Sequence, residues 1–124
     1  MAKILVADDC PVQRRLLSSY LGNKGHSVLL AADALQAWMT ALRDSPDAIV
    51  LDINMPAGSG IEVLRRLRMS TKTQRVPVVI VSGSDRPDLD QLVKELGATQ
   101  FLSKPIDLDQ LEAAIERCCP SAGK

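Results

Sequence analysis

Five short runs of Val, Ile, Leu and Ala, each parted from the next by a segment of helical period, leave this chain few ways to fold. The runs are KILVA (3–7), SVLLA (27–31), AIVL (48–51), VPVVIV (76–81) and TQFL (99–102). Several are almost continuously apolar instead of alternating, the pattern of a parallel strand buried on both faces. Between them, apolar residues recur three and four apart. Val12, Leu16 and Tyr20 with Leu17 and Leu21 make one stripe, and Ala34, Ala37, Trp38, Ala41 and Leu42 a second. Ile61, Leu64 and Leu67 make a third, opposed by Glu62, Arg65, Arg66 and Arg68; Leu89, Leu92, Val93 and Leu96 make a fourth, and Leu108, Leu111 and Ile115 a fifth. Pro11 and Pro87 suit first helical positions, and Gly22 and Gly97 suit helix exits. Asp88 and Asp90 fall in an opening turn, where negative charge is favoured. Five β-α units in a row predict a single α/β domain: a doubly wound parallel sheet, helices on both faces, right-handed crossovers.

The totals agree with one core. The chain has 124 residues, 46% of them hydrophobic and 24% charged, as in a globular domain. Lys+Arg and Asp+Glu both number 15, so the net charge is zero and nothing in bulk favours nucleic acid or an anionic membrane. No apolar run is long enough to span a bilayer, and MAKILVADD is no signal peptide. Cys10, Cys118, Cys119 and a single histidine, His26, offer neither a disulfide framework nor a zinc cluster, so the expectation is a reduced, cytoplasmic protein. The last residues, 120–124, read as a tail or the start of a linker after a domain of residues 1–119.

Polar residues gather where the apolar runs stop. Asp8 and Asp9 follow the first run, Asp52 the third, Ser82 the fourth and Lys104 the fifth. Ligands in open α/β sheets bind at the carboxyl ends of the strands, so three carboxylates, a hydroxyl and an ammonium are expected on one rim. Adjacent acids repel and lose hydration as the fold closes. A hard divalent cation relieves that surplus. Mg²⁺ suits the set, because it takes one or two carboxylates, keeps waters and shares a phosphate oxygen. With Lys104 it would make an anion trap, and Asp52 would supply a carboxylate nucleophile, as in aspartyl-phosphate chemistry.

The acid pair at Asp8-Asp9, LDINMP around Asp52, the hydroxyl of Ser82 and the Lys104-Pro105 pair, all in order, resemble the receiver domain of two-component response regulators. The stretch ELGATQFLSKP resembles that family's approach to its last strand, and the likeness spans essentially the whole chain. It implies a flavodoxin-like (βα)5 fold with strand order 2-1-3-4-5. It also implies a phosphoacceptor that assists its own phosphorylation and dephosphorylation without being an enzyme. Asp52 would take a phosphoryl group from a kinase phosphohistidine. Asp9, Asp52 and the backbone carbonyl of Asn54 would bind Mg²⁺ directly, with Asp8 acting through water. Lys104 and Ser82 would contact the phosphate; Ser82 and Phe101 would switch the surface of helix 4, strand 5 and helix 5; Asn54 and Ser84 would tune water attack on the acyl phosphate. The implied partners are a sensor histidine kinase or phosphotransfer protein and a downstream protein target or separate effector domain. Homodimerisation on phosphorylation stays open, and neither direct nucleic-acid nor membrane binding is implied. Ala34 stands where the family commonly has glycine, and Cys10 and the loop MPAGSG also depart from its usual forms.

Two other classes fit the residues less well. A phosphatase with an aspartyl nucleophile commonly needs an acid two residues on, where this chain has Asn54. A nucleotide- or flavin-binding domain would carry a G-x-G-x-x-G or G-x-x-x-x-G-K-[ST] loop, which is absent. Away from the rim the plainer readings hold. His26 is structural or on the surface, Trp38 packs in or beside the core, and Cys118 and Cys119 lie near the buried face of the last helix. Arg65, Arg66, Arg68, Lys72 and Arg75 read as a solvated face. Leu35 and Met39 are apolar residues expected on the surface.

Overall fold

The computed structural model describes residues 2–83 and 87–118. The predicted alternation is present as β1 (Lys3–Ala7), α1 (Pro11–Asn23), β2 (Ser27–Ala31), α2 (Ala34–Asp44), β3 (Ala48–Asp52), α3 (Gly60–Met69), β4 (Val78–Ser82), α4 (Pro87–Glu95), β5 (Gln100–Ser103) and α5 (Leu108–Cys118). All strand pairings are parallel and the order is β2-β1-β3-β4-β5. The chain order reverses between β1 and β3, which opens a crevice at their carboxyl ends.

Side-chain parity divides the core. Leu5, Ile49, Leu51, Val78 and Ile80 face one way and pack under α2, α3 and α4. Ile4, Val6, Val50, Val79 and Val81 face the other way, against α1 and α5. The central strands β3 and β4 are buried along their whole length, which is why their runs do not alternate. Each fully buried Leu, Ile or Val contributes roughly 1.5–3 kcal/mol relative to exposure. β2 lies at the sheet edge, so its apolar run is only partly covered and Leu30 is 47% exposed.

Local sequence fixes the helix ends. Pro11 occupies the first turn of α1. The carboxylate of Asp33 accepts the N–H of Gln36, and the hydroxyl of Ser59 accepts that of Glu62, so α2 and α3 begin on side-chain caps. Gly97 has φ of 96°, just past the end of α4, as expected of a helix exit. Gly22 does not play that part: α1 runs on to Asn23, and the left-handed turn falls at Gly25.

Two further expectations are corrected. On α1 only Leu17 and Leu21 are fully buried, with Tyr20 beside them, whereas Val12 and Leu16 are 76% and 48% exposed. The i, i+4 pattern joined residues that lie on two edges of the helix, and the sheet covers only one. Arg68 is not part of a solvated face. Its guanidinium lies half-buried and donates to the carbonyls of Gly97 and Val76 at 2.8–3.0 Å, with longer bonds to Thr73 and Gln74. His26 is structural, as its setting implied: its Nδ1 accepts the N–H of Ala2, while Nε2 lies 3.7 Å from Glu112.

Candidate functional site

The rim residues meet as their strand positions require. Asp8 follows β1, Asp52 ends β3, Ser82 ends β4 and Lys104 follows β5. The register places Ala7 beside Leu51, Asp52 beside Val81 and Ser82 beside Ser103, so these ends lie at one level. Asp8 and Asp52 are each only 3% exposed and Ser82 is fully buried, while Asp9 is open to solvent. Carboxylate oxygens of Asp8, Asp9 and Asp52 all lie within 4.8 Å of one another. The ammonium of Lys104 sits between the two buried acids, 3.0 Å from Asp52 Oδ2 and 3.4 Å from Asp8 Oδ2.

Backbone donors hold the carboxylates in place. Asp8 Oδ1 accepts the N–H of Cys10 at 2.9 Å, and Asp52 Oδ1 accepts that of Asn54 at 3.3 Å. Lys104 N donates to the carbonyl of Ser82, tying β5 to β4 beside the site. Gly60, the first residue of α3, presses directly on β3. A Cβ there would stand 2.3 Å from the carbonyl oxygen of Asp52 and 2.8 Å from Ile53 Cα. Only glycine permits this approach, and its N–H donates to the Ile53 carbonyl.

Burial raises the pKa of Asp52. The charge of Asp8 adds to the rise, while Lys104 and the N–H of Asn54 oppose it. Burial pulls the Lys104 ammonium down, but Asp52 and Asp8 outweigh it and its pKa ends above the ordinary lysine value. One cation thus faces three acids. The donor set, all hard carboxylate oxygens converging from two strand ends, fits Mg²⁺.

Phe101 is half-buried and packs against the cluster under α3 and α4. It is paired with Ile80 in the β4–β5 register, and by alternation Ile80, Ser82 and Phe101 share one face of the sheet. Asn54 is exposed at the rim; Ser84, Cys119 and the segment 120–124 lie outside the described residues. Sequence reasoning missed Arg14, whose Nη1 donates to the backbone carbonyl of Asp8 at 2.7 Å. Its place in the first turn of α1, next to the acid pair, was the available signal.

The family model for the response regulator receiver domain matches residues 4–116. The chain belongs to that family. It is 34% identical over 118 residues to sporulation initiation phosphotransferase F of Bacillus subtilis, covering 95% of this chain and 94% of that protein. The chemotaxis protein CheY4 of Vibrio cholerae superposes with a TM-score of 0.88 at 32% identity, covering 95% of this receiver and 98% of that chain. The receiver domain of the sensor histidine kinase PA1611 from Pseudomonas aeruginosa PAO1 gives a TM-score of 0.88 at 28% identity, covering 97% and 98%; its active site cleft coordinates a magnesium ion. The chain is therefore a phosphorylatable receiver domain of two-component systems, a family of signalling modules. No described helix is long and apolar enough to cross a membrane.

Proposed function

We propose that this receiver accepts a phosphoryl group on Asp52 from a phosphohistidine of a histidine kinase or phosphotransfer protein. One observation carries the reading. The Asp52 carboxylate is held at the end of β3 between the Lys104 ammonium and the N–H of Asn54, with oxygens of Asp8 and Asp9 within 4.8 Å. An oxygen of Asp52 attacks phosphorus, the N–P bond breaks, and its electron pair returns to the imidazole, which takes up a proton. The chain supplies position and charge more than covalent help. Lys104 and the buried hydroxyl of Ser82 receive the phosphoryl oxygens. Asp8, Asp9, Asp52 and the backbone carbonyl of Asn54 would hold Mg²⁺, which when bound neutralises the negative charge between donor and acceptor.

The readout follows the shared face of Ser82 and Phe101. Drawing the Ser82 hydroxyl toward a phosphoryl group on Asp52 empties space on the side of the sheet where Phe101 packs. Inward movement of that ring alters the surface of α4, β5 and α5 presented to a downstream target or effector domain. Asn54 and Ser84 set how readily water removes the phosphoryl group. Residues 1–119 form the receiver unit, followed by a tail or linker, and dimerisation on phosphorylation is one form the output can take.

The test is intact mass after incubation with acetyl phosphate and Mg²⁺, with Asp52→Ala alongside. A labile single phosphoryl adduct on wild type, absent without Mg²⁺ and absent in the variant, is expected. An adduct that persists in Asp52→Ala moves the acceptor elsewhere and refutes the assignment.

A further inference from the structure

Three of the six exposed large apolar side chains among the described residues stand on the neighbouring helices α2 and α3. Leu35, Met39 and Met69 are 54%, 56% and 80% exposed. Leu35, Trp38 and Met39 lie three and four residues apart and form one ridge of α2. Trp38, Arg66, Met69 and Ser70 line a depression of about 240 Å³ between the two helices. It continues into a smaller hollow of about 80 Å³ that Trp38 and Arg66 share with Ala57 and Gly58 of the β3–α3 loop. The surface is thus a shallow furrow in which Leu35, Trp38 and Met69 stand beside Arg66, Ser70 and Glu62, wide enough for side chains of a docked helix.

Its charge is mostly positive, with Glu62 the acid that lines the smaller hollow beside Arg66. Arg65 and Arg66 flank Met69 at i−4 and i−3, and Lys72 follows one turn on. None of the three has a carboxylate within ion-pair distance among the described residues, in a chain whose total charge is zero. The Arg66 guanidinium lies 6.0 Å from the centroid of the Trp38 ring, at the outer reach of a cation–π contact that leaves its hydrogen-bonding fork available. An arginine beside an aromatic ring and an exposed methionine, with no carboxylate partner among the described residues, is the composition of an interface centre. Solvated lysines and arginines on a featureless helix face lack such a furrow.

We propose that the α2–α3 furrow docks an amphipathic helix of a partner protein, its apolar ridge seated on Trp38 and Met69 and its acidic flank facing Arg65, Arg66 and Lys72. The furrow favours a helix over a flat anionic bilayer, and the unpaired cations favour acidic flanks over neutral ones. The surface is distinct from α4, β5 and α5.

Trp38 is the only tryptophan in the chain and serves as the probe. The full unphosphorylated chain is titrated with a tryptophan-free helical peptide of about 18 residues, roughly 27 Å long, bearing apolar residues at i, i+4 and i+7 and glutamates on both flanks. Parallel titrations use the same peptide with lysine for glutamate, and phosphatidylglycerol vesicles. A saturable change in Trp38 emission with the acidic peptide alone is expected, weakened about tenfold or more by Arg66→Glu and by Met69→Ser, and weakened by salt. Both substitutions are at exposed positions, and an unchanged far-UV spectrum shows that the variants fold. Equal binding of the lysine peptide, indifference to Arg66→Glu, or a response only to vesicles overturns the proposal. A Trp38 signal that follows protein concentration without peptide assigns the furrow to a second copy and overturns it too.

Discussion

Replacing Arg68 by methionine should weaken this receiver far more than its place on an outward-reading helix suggests. The substitution keeps most of the apolar stem and deletes the guanidinium. That group donates from Nε and Nη2 to the Gly97 carbonyl at 3.0 and 2.8 Å and from Nη1 to the Val76 carbonyl at 2.8 Å. The two remaining bonds, to Gln74 and Thr73, are 3.3 and 3.4 Å and add little. A hydrogen bond from a charged donor is worth about 1.5–3 kcal/mol net. Against three such bonds stands the desolvation of an arginine with no carboxylate partner among the described residues, which lowers its pKa. Water can also replace the donors at Gly97, which is exposed. The balance is a loss of roughly 2–3 kcal/mol. At about 2.1 cal/mol/K of unfolding entropy per residue, that lowers Tm by about 8–12 °C in a chain of this size.

The assay is urea unfolding of Arg68→Met, with Arg65→Met as the control from the solvent face of the same helix. The control should stay within about 0.5 kcal/mol of wild type. Arg68→Met should also speed amide exchange at Gly97 and Ala98, because the guanidinium pins the segment leaving α4 to the loop leaving α3. A loss below about 1 kcal/mol, or one matched by the Arg65 control, would refute the claim that this arginine staples the two segments.

Three further outcomes follow from the rim. Because burial raises the pKa of Asp52, its ionisation opposes folding; this contribution to stability is full below the ordinary carboxylate range and is lost as pH rises through the raised value. Urea midpoints in EDTA should therefore fall less between pH 4 and 7 in Asp52→Asn than in wild type, and equal slopes would contradict the burial argument. Lys104 has the opposite setting: its raised pKa adds stability below the lysine range that disappears at strongly alkaline pH, so Lys104→Met should flatten the alkaline limb of the same curve. Gly60→Ala should cost about 1–3 kcal/mol by urea unfolding, since its Cβ would meet the Asp52 carbonyl at 2.3 Å, and a neutral result would mean that α3 shifts freely.

The rim was legible in the sequence because strand ends are marked twice, by the loss of apolar character and by the residue that ends the run. Asp8, Asp52, Ser82 and Lys104 each close or follow an apolar run, and parallel topology alone brings those four ends together. Periodicity says less about how far a helix face is covered. Val12 and Leu16 repeat as faithfully as Leu17 and Leu21, and only the position of α1 over the sheet separates the exposed pair from the buried one. Arg68 was illegible for a related reason. Its partners are carbonyls, which every residue possesses, and they come from two loops whose approach no local pattern encodes. Side-chain chemistry thus announced the acids and the lysine, whereas backbone acceptors left no mark. The same asymmetry holds for Arg14, whose partner is the carbonyl of Asp8 and not its carboxylate. A charged residue that reads as solvated in such a fold is best judged by what backbone lies over it, because a half-buried arginine without an acid partner must find carbonyls.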